Sequence, residues 1–332
     1  MNRIRQALKY AATRLYEFRV TIKEFLSCGK LGSDAYRSFY ENSLLVEVHS
    51  VEKGLGLRNT QPGHSSRQVI NLLNKLFEYM NRGYDISDFA FQETFRVITA
   101  YMEYQSLFDT GNFPEFDTIT GKYNSLCDKI GAAFIEKNKK EFHAGVCVLN
   151  KQELLSGRNF DFEKFISTRH SVRMYEKKAL EISDIEKAVA AANKAPSACN
   201  RQPNYVFFCN DQSKVSEIDS LITGSNGFKG EIPNYIIVTT DRAGFMGEEQ
   251  FQWYINGGIY LSYLTLSLHS LGIGSCIMQW KAFYKTENEL KKLADIPKQH
   301  AIIAIIGCGY YQDDTKCICA QRKDVQETLH IV

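Results

Sequence analysis

The sequence predicts a mixed helix-and-sheet domain, α/β or α+β in class, preceded by a nearly all-helical half. Three observations carry this reading. Over residues 1–150 apolar side chains recur at three- and four-residue steps, with little strand-like alternation. From about residue 158, short β-branched and aromatic runs bounded by polar residues appear. Between those runs lie segments with helix-start signals. The chain has 332 residues, 44% hydrophobic and 23% charged, which suits a globular protein of one large or two ordinary domains.

The elements follow in order. "MNRIRQALKYAATRLYEFRVTIKEFL" has apolar residues at Ile4, Leu8, Ala11, Leu15, Phe18, Ile22 and Phe25, the pattern of an amphipathic helix. It carries six Arg/Lys against two Glu up to Glu24 and lacks the apolar core of a signal peptide. "SRQVINLLNKLFEYMNRGY" and "FQETFRVITAYMEYQSLF" predict two further helices, separated by turn clusters such as "GLGLRNTQPGHSS". "SDIEKAVAAANKA" opens with Ser183 and Glu186 in capping-box spacing, and "TENELKKLA" repeats that spacing with Thr286 and Glu289. Residues 204–210, 234–241 and 300–311 predict strands. The stretch "YINGGIYLSYLTLSLHSLGIG" (254–274) is apolar enough for a buried helix, but its Asn256, His269 and serines argue against a membrane span. Gly272 and Gly274 fit its C-terminus. These features place the domain boundary near 155–161.

Several function classes have no local support. A net charge of +2 with interspersed signs gives no reason to expect nucleic acid. There is no GxSxG, Walker A, HExxH or strand-following GxGxxG. Nine cysteines, scattered and without CxxC, suggest a reducing cytoplasm rather than a disulfide or metal framework. What remains is a set of loops rich in small and basic residues. "STRHSVRMYEKKAL" gathers Arg169, His170, Arg173 and Lys177 around Ser171. "PSACNRQPN" offers small residues beside Asn200 and Gln202, whose amides both donate and accept, as edge recognition of a ring needs. "LGIGSCIMQWKAF" turns near Met278, Gln279 and Trp280, and "CAQRKDVQE" supplies Arg322 and Lys323.

Taken together and in order, these four segments resemble the nitroreductase family of FMN-dependent oxidoreductases, over about residues 160–330. The resemblance implies an α+β, three-layer domain (158–332) with a mainly antiparallel sheet flanked by helices, preceded by an all-α region (1–157). It implies that Arg169 and Arg173, with Arg322 and Lys323, grip the FMN phosphate and ribityl chain, as suits a phosphate dianion. His170 and Ser171 match positions near the phosphate and the pyrimidine edge. Pro196, Ser197, Ala198, Cys199 and Asn200 match a loop that reaches the flavin across a homodimer interface. Met278, Gln279 and Trp280 match the turn whose backbone meets flavin N5. The implied activity is ping-pong hydride transfer from NAD(P)H through the flavin to a small-molecule substrate, with no side chain named as acid or base. A flavin-binding module with little turnover, or a flavin-consuming or dehalogenating member of the superfamily, are the alternatives.

The sequence departs from the family at two places. Gln279 and Trp280 stand where many members have two small residues, and Asn204 follows the Gln-Pro pair where Trp is common. In the first half, "HSVEKGL" resembles a segment of a nitroreductase subgroup with a helical extension. Its His49, Glu52 and Lys53 fit either a lid over the flavin pocket or an ion-pair cluster at a helix end.

Overall fold

The computed structural model describes residues 33–56, 61–108, 113, 115–141, 160–245, 249, 251–280, 284–315, 317 and 322–332, with scattered residues between 5 and 22. The expected N-terminal helix falls mostly outside the described residues; those at 18–22 are helical. Contacts divide the chain into two compact units. The first comprises 1–159, 197–203 and 242–252; the second comprises 160–196, 204–241 and 253–332.

The first unit is helical. Helix α1 (Ser33–Leu55) buries Leu44, Val48 and Val51 at three- and four-residue spacing, so one stripe of it faces the core. α2 (Ser66–Asn81) contributes Val69, Leu72, Leu73 and Leu76, and α3 (Phe89–Gln105) contributes Phe91, Phe95 and Ile98. α4 (Glu115–Ile130) and α5 (Ala132–Glu141) meet at Gly131, whose φ of +82° is open to glycine and costly for other residues. Phe134 of α5 lies edge-on to Phe91 and Phe95. Polar ties fix the register between helices. The Tyr79 hydroxyl donates to Asp88 at 2.6 Å and to Glu41 at 3.0 Å, and Arg37 bridges the same two carboxylates. His49 pairs with Glu52 at 3.1 Å within α1, while Lys53 is exposed. Glu93 is pushed above the usual carboxylate range by burial and by the nearby Glu52.

The second unit is built on a four-stranded, fully antiparallel sheet in the order β1-β2-β4-β3. β1 is Asn204–Cys209, β2 Asn234–Asp241, β3 Ile273–Met278 and β4 His300–Tyr310. Alternate residues of β2 and β4 enter opposite layers. Tyr235, Ile237 and Ile305 join Val215, Ile218 and Leu290 from α8 (Gln212–Leu221) and α10 (Tyr284–Leu293). Ile236, Val238 and Ile306 join Ile185, Ala188, Leu264 and Leu268 from α7 (Ile182–Ala192) and α9 (Gln252–Ser270). Helices on both faces make the three-layer, mainly antiparallel α+β arrangement expected. They also explain why β2 and β4 are almost continuously buried: neither face meets water. Gly257 is where α9 touches the sheet, and a Cβ there would sit 2.4 Å from Ile303. Among the described residues no helix is long and apolar enough to cross a membrane.

Three local expectations are corrected. β3 lies where a helix end and turn were expected: Gly272, with φ +72°, ends α9, and the chain pairs directly with β4. Glu181, not Ser183, occupies the N-cap of α7, so Ser183 and Glu186 form no capping box. Thr286 likewise lies inside α10, which starts at Tyr284.

Candidate functional site

The segment that follows α6 (Phe162–Thr168) runs beside β3. Ser171 forms a parallel bridge with Ser275, and the Val172 amide donates to the Ser275 carbonyl at 3.0 Å. Gly274 makes this approach possible, because a Cβ there would meet Val172 at 3.0 Å. Tyr175 anchors the far end, its hydroxyl donating to the carbonyls of Val172 at 2.6 Å and Gly307 at 2.9 Å. The result is a short extended ribbon with Arg169 at its head.

This ribbon, β3 and the second half of α9 enclose a cavity of about 300 Å³. Arg169, Ser171, Ser262, Thr265, Ser275, Leu266 and Ile277 line it. Its walls therefore carry one guanidinium, four hydroxyls and two aliphatic side chains. Among the described residues Arg169 forms no ion pair with a carboxylate, so its charge is available to a ligand. Arg173 lies two residues on, donating to the Ser171 carbonyl at 3.3 Å, with its guanidinium 6.0 Å above the Phe228 ring.

The charge environment is positive. His269, in the last turn of α9, contacts the Tyr311 hydroxyl through Nδ1 at 2.8 Å and the Thr168 hydroxyl through Nε2 at 3.2 Å. Burial lowers its pKa, and the positive charges of Arg169 and His170 lower it further. The lowered pKa favours the neutral imidazole beside the Arg169 guanidinium, against a hydrogen bond at Phe165 that acts the other way. The Phe165 ring packs tilted against it, with centroids 4.9 Å apart, and ties α6 to α9.

Of the residues chosen from sequence, the structure brings Arg169 and Ser171 to the cavity wall, with His170 and Arg173 flanking them. Met278, Gln279 and Trp280 follow Ile277 at the end of β3. Met278 is buried, and Gln279 is exposed at a turn pressed against Gly224, where a Cβ would lie 2.6 Å from the Gln279 amide nitrogen. Trp280 packs half-buried against the layer containing Val215 and Ile218. Arg322 and Lys323 are exposed and lie outside the cavity lining. Pro196 belongs to the second unit, whereas Ser197, Ala198, Cys199 and Asn200 belong to the first.

That loop is strained. Cys199, Asn200 and Gln202 have φ of 52°, 50° and 50°, the left-handed region in which a non-glycine residue costs on the order of 1 kcal/mol or more. Arg201, whose side chain is only 2% exposed, holds it. Its Nε donates to the Ala198 carbonyl at 3.0 Å, and Nη1 donates to the Gly244 carbonyl and to Glu249, each at 2.8 Å. Nη2 donates to the other Glu249 oxygen, completing a bidentate pair. The Phe245 ring lies 4.6 Å beneath the guanidinium. The Gln202 amide donates to Ser197 Oγ at 3.0 Å and closes the turn.

Sequence reasoning missed Arg201, Ser262, Thr265 and Ser275. Ser262 and Thr265 stand three residues apart on α9, a spacing that puts them on one face, but Ser267 and Ser270 continue at two- and three-residue steps, so the pair did not mark itself in sequence.

Residues 166–228 and 221–310 match the family model described as "Nitroreductase family". This stretch of the chain is similar to that family. The nitroreductase match starts within α6 and ends with β4, so it takes in the ribbon, α9 and β3 around the cavity; α1 to α5 lie outside it. A protein of Archaeoglobus fulgidus, named as a candidate NADH dehydrogenase/NAD(P)H nitroreductase, is 28% identical over 158 residues, 46% of this chain and 86% of that relative. A protein of the same name from Methanothermobacter thermautotrophicus is 26% identical over 158 residues, 45% of this chain and 77% of its own length. Among solved structures, an FMN-dependent nitroreductase of Clostridium difficile is similar with a TM-score of 0.43 and 24% identity, covering 50% of this chain and 96% of that one. A nitroreductase of Desulfovibrio desulfuricans in complex with FMN has a TM-score of 0.44 and 20% identity, covering 52% and 96%.

Proposed function

We propose that the protein is an FMN-dependent oxidoreductase that uses NAD(P)H to reduce a small-molecule substrate by a ping-pong exchange. The observation that carries the reading is the cavity headed by Arg169, with no carboxylate paired to that guanidinium among the described residues. Its lining fits FMN. A guanidinium suits the phosphate, the hydroxyls of Ser171, Ser262, Thr265 and Ser275 suit a polyol chain and ring-edge polar atoms, and Leu266 and Ile277 suit an aromatic face. FMN, when bound, supplies two-electron transfer through ring N5, taking hydride from a nicotinamide and passing it to an oxidant that follows.

The chain's own residues bind, orient and shield. Arg169 and Arg173 hold the anionic end, aided by the flanking His170 and by Arg322 and Lys323. The His269 ring hydrogen-bonds Thr168 and Tyr311 and so fixes the Arg169 segment, and its lowered pKa disfavours a second cation there. Ser171 and the backbone of Met278–Trp280 address the ring. Trp280 lies against the α8 and α10 layer. This position argues against a ring that blocks the flavin face, and so against the module without turnover. Cys276 is buried and its thiol pushed up by burial, which makes it a packing group rather than a redox partner.

The active form in this reading is a homodimer with FMN at the subunit interface. α9 is rich in apolar residues, yet its Ile255 and Tyr263 are 53% and 41% exposed. Gly258 on the same helix has no neighbour within 4 Å. A second copy covering this face also supplies its loop Pro196–Asn200 to the flavin. The functional division of the chain is then 1–157 and 158–332, in a protein of the cytoplasm.

The test is to add FMN to the purified protein, remove the excess, and record the visible spectrum before and after anaerobic NADH or NADPH. Retained flavin that bleaches with the nicotinamide and returns with an oxidant is the expected result. Retained flavin that stays oxidised defeats the enzymatic reading. Light scattering of the loaded protein should give twice the chain mass, and Ile255→Lys should reduce it to one.

A further inference from the structure

The loop that the proposed function assigns to the flavin is held by residues of the first unit, outside the nitroreductase match in part, and Gly244 is the point where two contacts converge. Its carbonyl accepts from Arg201 Nη1 at 2.8 Å. Its Cα lies against Asn42 of α1, where a Cβ would stand 2.5 to 2.7 Å from the side-chain Cγ, Oδ1 and Nδ2. Asn42 is itself fastened, its Nδ2 donating to the Ser38 carbonyl one turn earlier at 2.9 Å. α1 also packs on the turns Ala198–Asn200 and Arg242–Gly244. A continuous chain of contacts therefore runs from Asn42 through Gly244 to Arg201 and the left-handed residues Cys199, Asn200 and Gln202.

We propose that α1, through the Asn42–Gly244 contact and the Arg201–Glu249 fork, is a positioning element for the loop 197–203, so that the helical extension sets FMN affinity without touching FMN. The inference rests on the flavin reading of that loop. Its physical basis is that a turn with three left-handed residues among four, Cys199, Asn200 and Gln202 around a right-handed Arg201, does not keep one conformation by its own preference and needs an external constraint. Arg201 provides it from inside the loop, and Gly244 and Glu249 fix Arg201. Without that frame the loop samples other conformations, and the binding-competent fraction falls, weakening affinity by the same factor.

The experiment compares FMN titration at a temperature well below melting for wild type, Gly244→Ala, Asn42→Ala/Gly244→Ala, Glu249→Gln and Gly121→Ala, with thermal melts of each apo-protein. Gly244 is not in the left-handed region, and the three atoms nearest to a Cβ there all belong to Asn42, so alanine acts first through Asn42. Gly121 has no neighbour within 4 Å and serves as the control. We expect Gly244→Ala and Glu249→Gln each to weaken FMN about tenfold and to alter its visible band, Gly121→Ala to change nothing, and removal of the Asn42 side chain to restore Gly244→Ala to within about twofold, since the population of one loop conformer sets the apparent constant. If Gly244→Ala does not fold, Glu249→Gln, which keeps the side-chain shape, decides alone. Wild-type affinity in variants with lowered melting points makes the contacts structural only and overturns the inference, with the flavin site intact. Wild-type protein that takes up no FMN overturns the inference and the flavin reading together.

Discussion

Arg169 and Arg201 are both arginines in short polar loops of the sequence, and the structure gives them opposite surroundings. Arg201 is buried, forks onto Glu249, donates to two backbone carbonyls and rests on an aromatic ring. Arg169 heads a cavity lined by hydroxyls, with no carboxylate paired to it among the described residues. A satisfied guanidinium spends its directionality on shape, whereas one facing a cavity without a counter-ion is poised for an anion from solution. In the proposed function the difference separates the residue that positions, Arg201, from the residue that binds, Arg169.

The comparison can be broken most strongly at Arg201. Arg201→Ala removes one donor group from Glu249 and from the Ala198 and Gly244 carbonyls, and removes packing on Phe245. The expected loss is about 3 kcal/mol of stability, read from urea unfolding of the apo-protein. Arg169→Ala should do the reverse: apo-stability within about 0.5 kcal/mol of wild type, but FMN affinity lowered about 30-fold, the equivalent of about 2 kcal/mol for a charge-assisted contact. Equal effects of the two changes on stability would erase the distinction.

A smaller effect concerns the surroundings of Arg169. His269 has a lowered pKa in the folded protein, so the unfolded chain binds its proton more readily. Below the ordinary imidazole pKa of about 6.5 the unfolded state gains protons that the folded state refuses, and stability falls with pH. Above that value the contribution is flat. Between pH 7.5 and 5 wild type should therefore lose more stability than His269→Gln, measured by denaturant midpoints across the range. Parallel curves would contradict the lowered His269 pKa, which burial and then the Arg169 charge produce. The smallest effect is expected at Lys177 and Lys178. Both are exposed, and Lys178 lies 5.1 Å over the Tyr310 ring. Their alanine variants should bind FMN within about twofold of wild type, since solvated charges contribute little.

The sheet was legible where its chemistry is unmixed. β1, β2 and β4 are β-branched and aromatic runs with polar ends, and each sits within two residues of its expected bounds. β3 was not, because "IGSCIM" is short and begins within two residues of the glycine that ends α9, so helix-end signals masked it. The capping boxes failed for a related reason: each helix begins earlier than its box, under packing that outweighs a local cap. At the site, Arg169 and Ser171 were readable because they lie together in one ribbon. Arg201 was not, since its meaning depends on Glu249, 48 residues away, and on Gly244 and Asn42, none of which marks itself in sequence.

The central claim is that the Arg169 cavity holds FMN. Titration of FMN into wild type and Arg169→Ala, followed by quenching of flavin fluorescence, tests it directly. One FMN per chain for wild type, with affinity at least tenfold weaker for the variant, is the predicted result. Equal binding by the two proteins, or none by wild type, would contradict it.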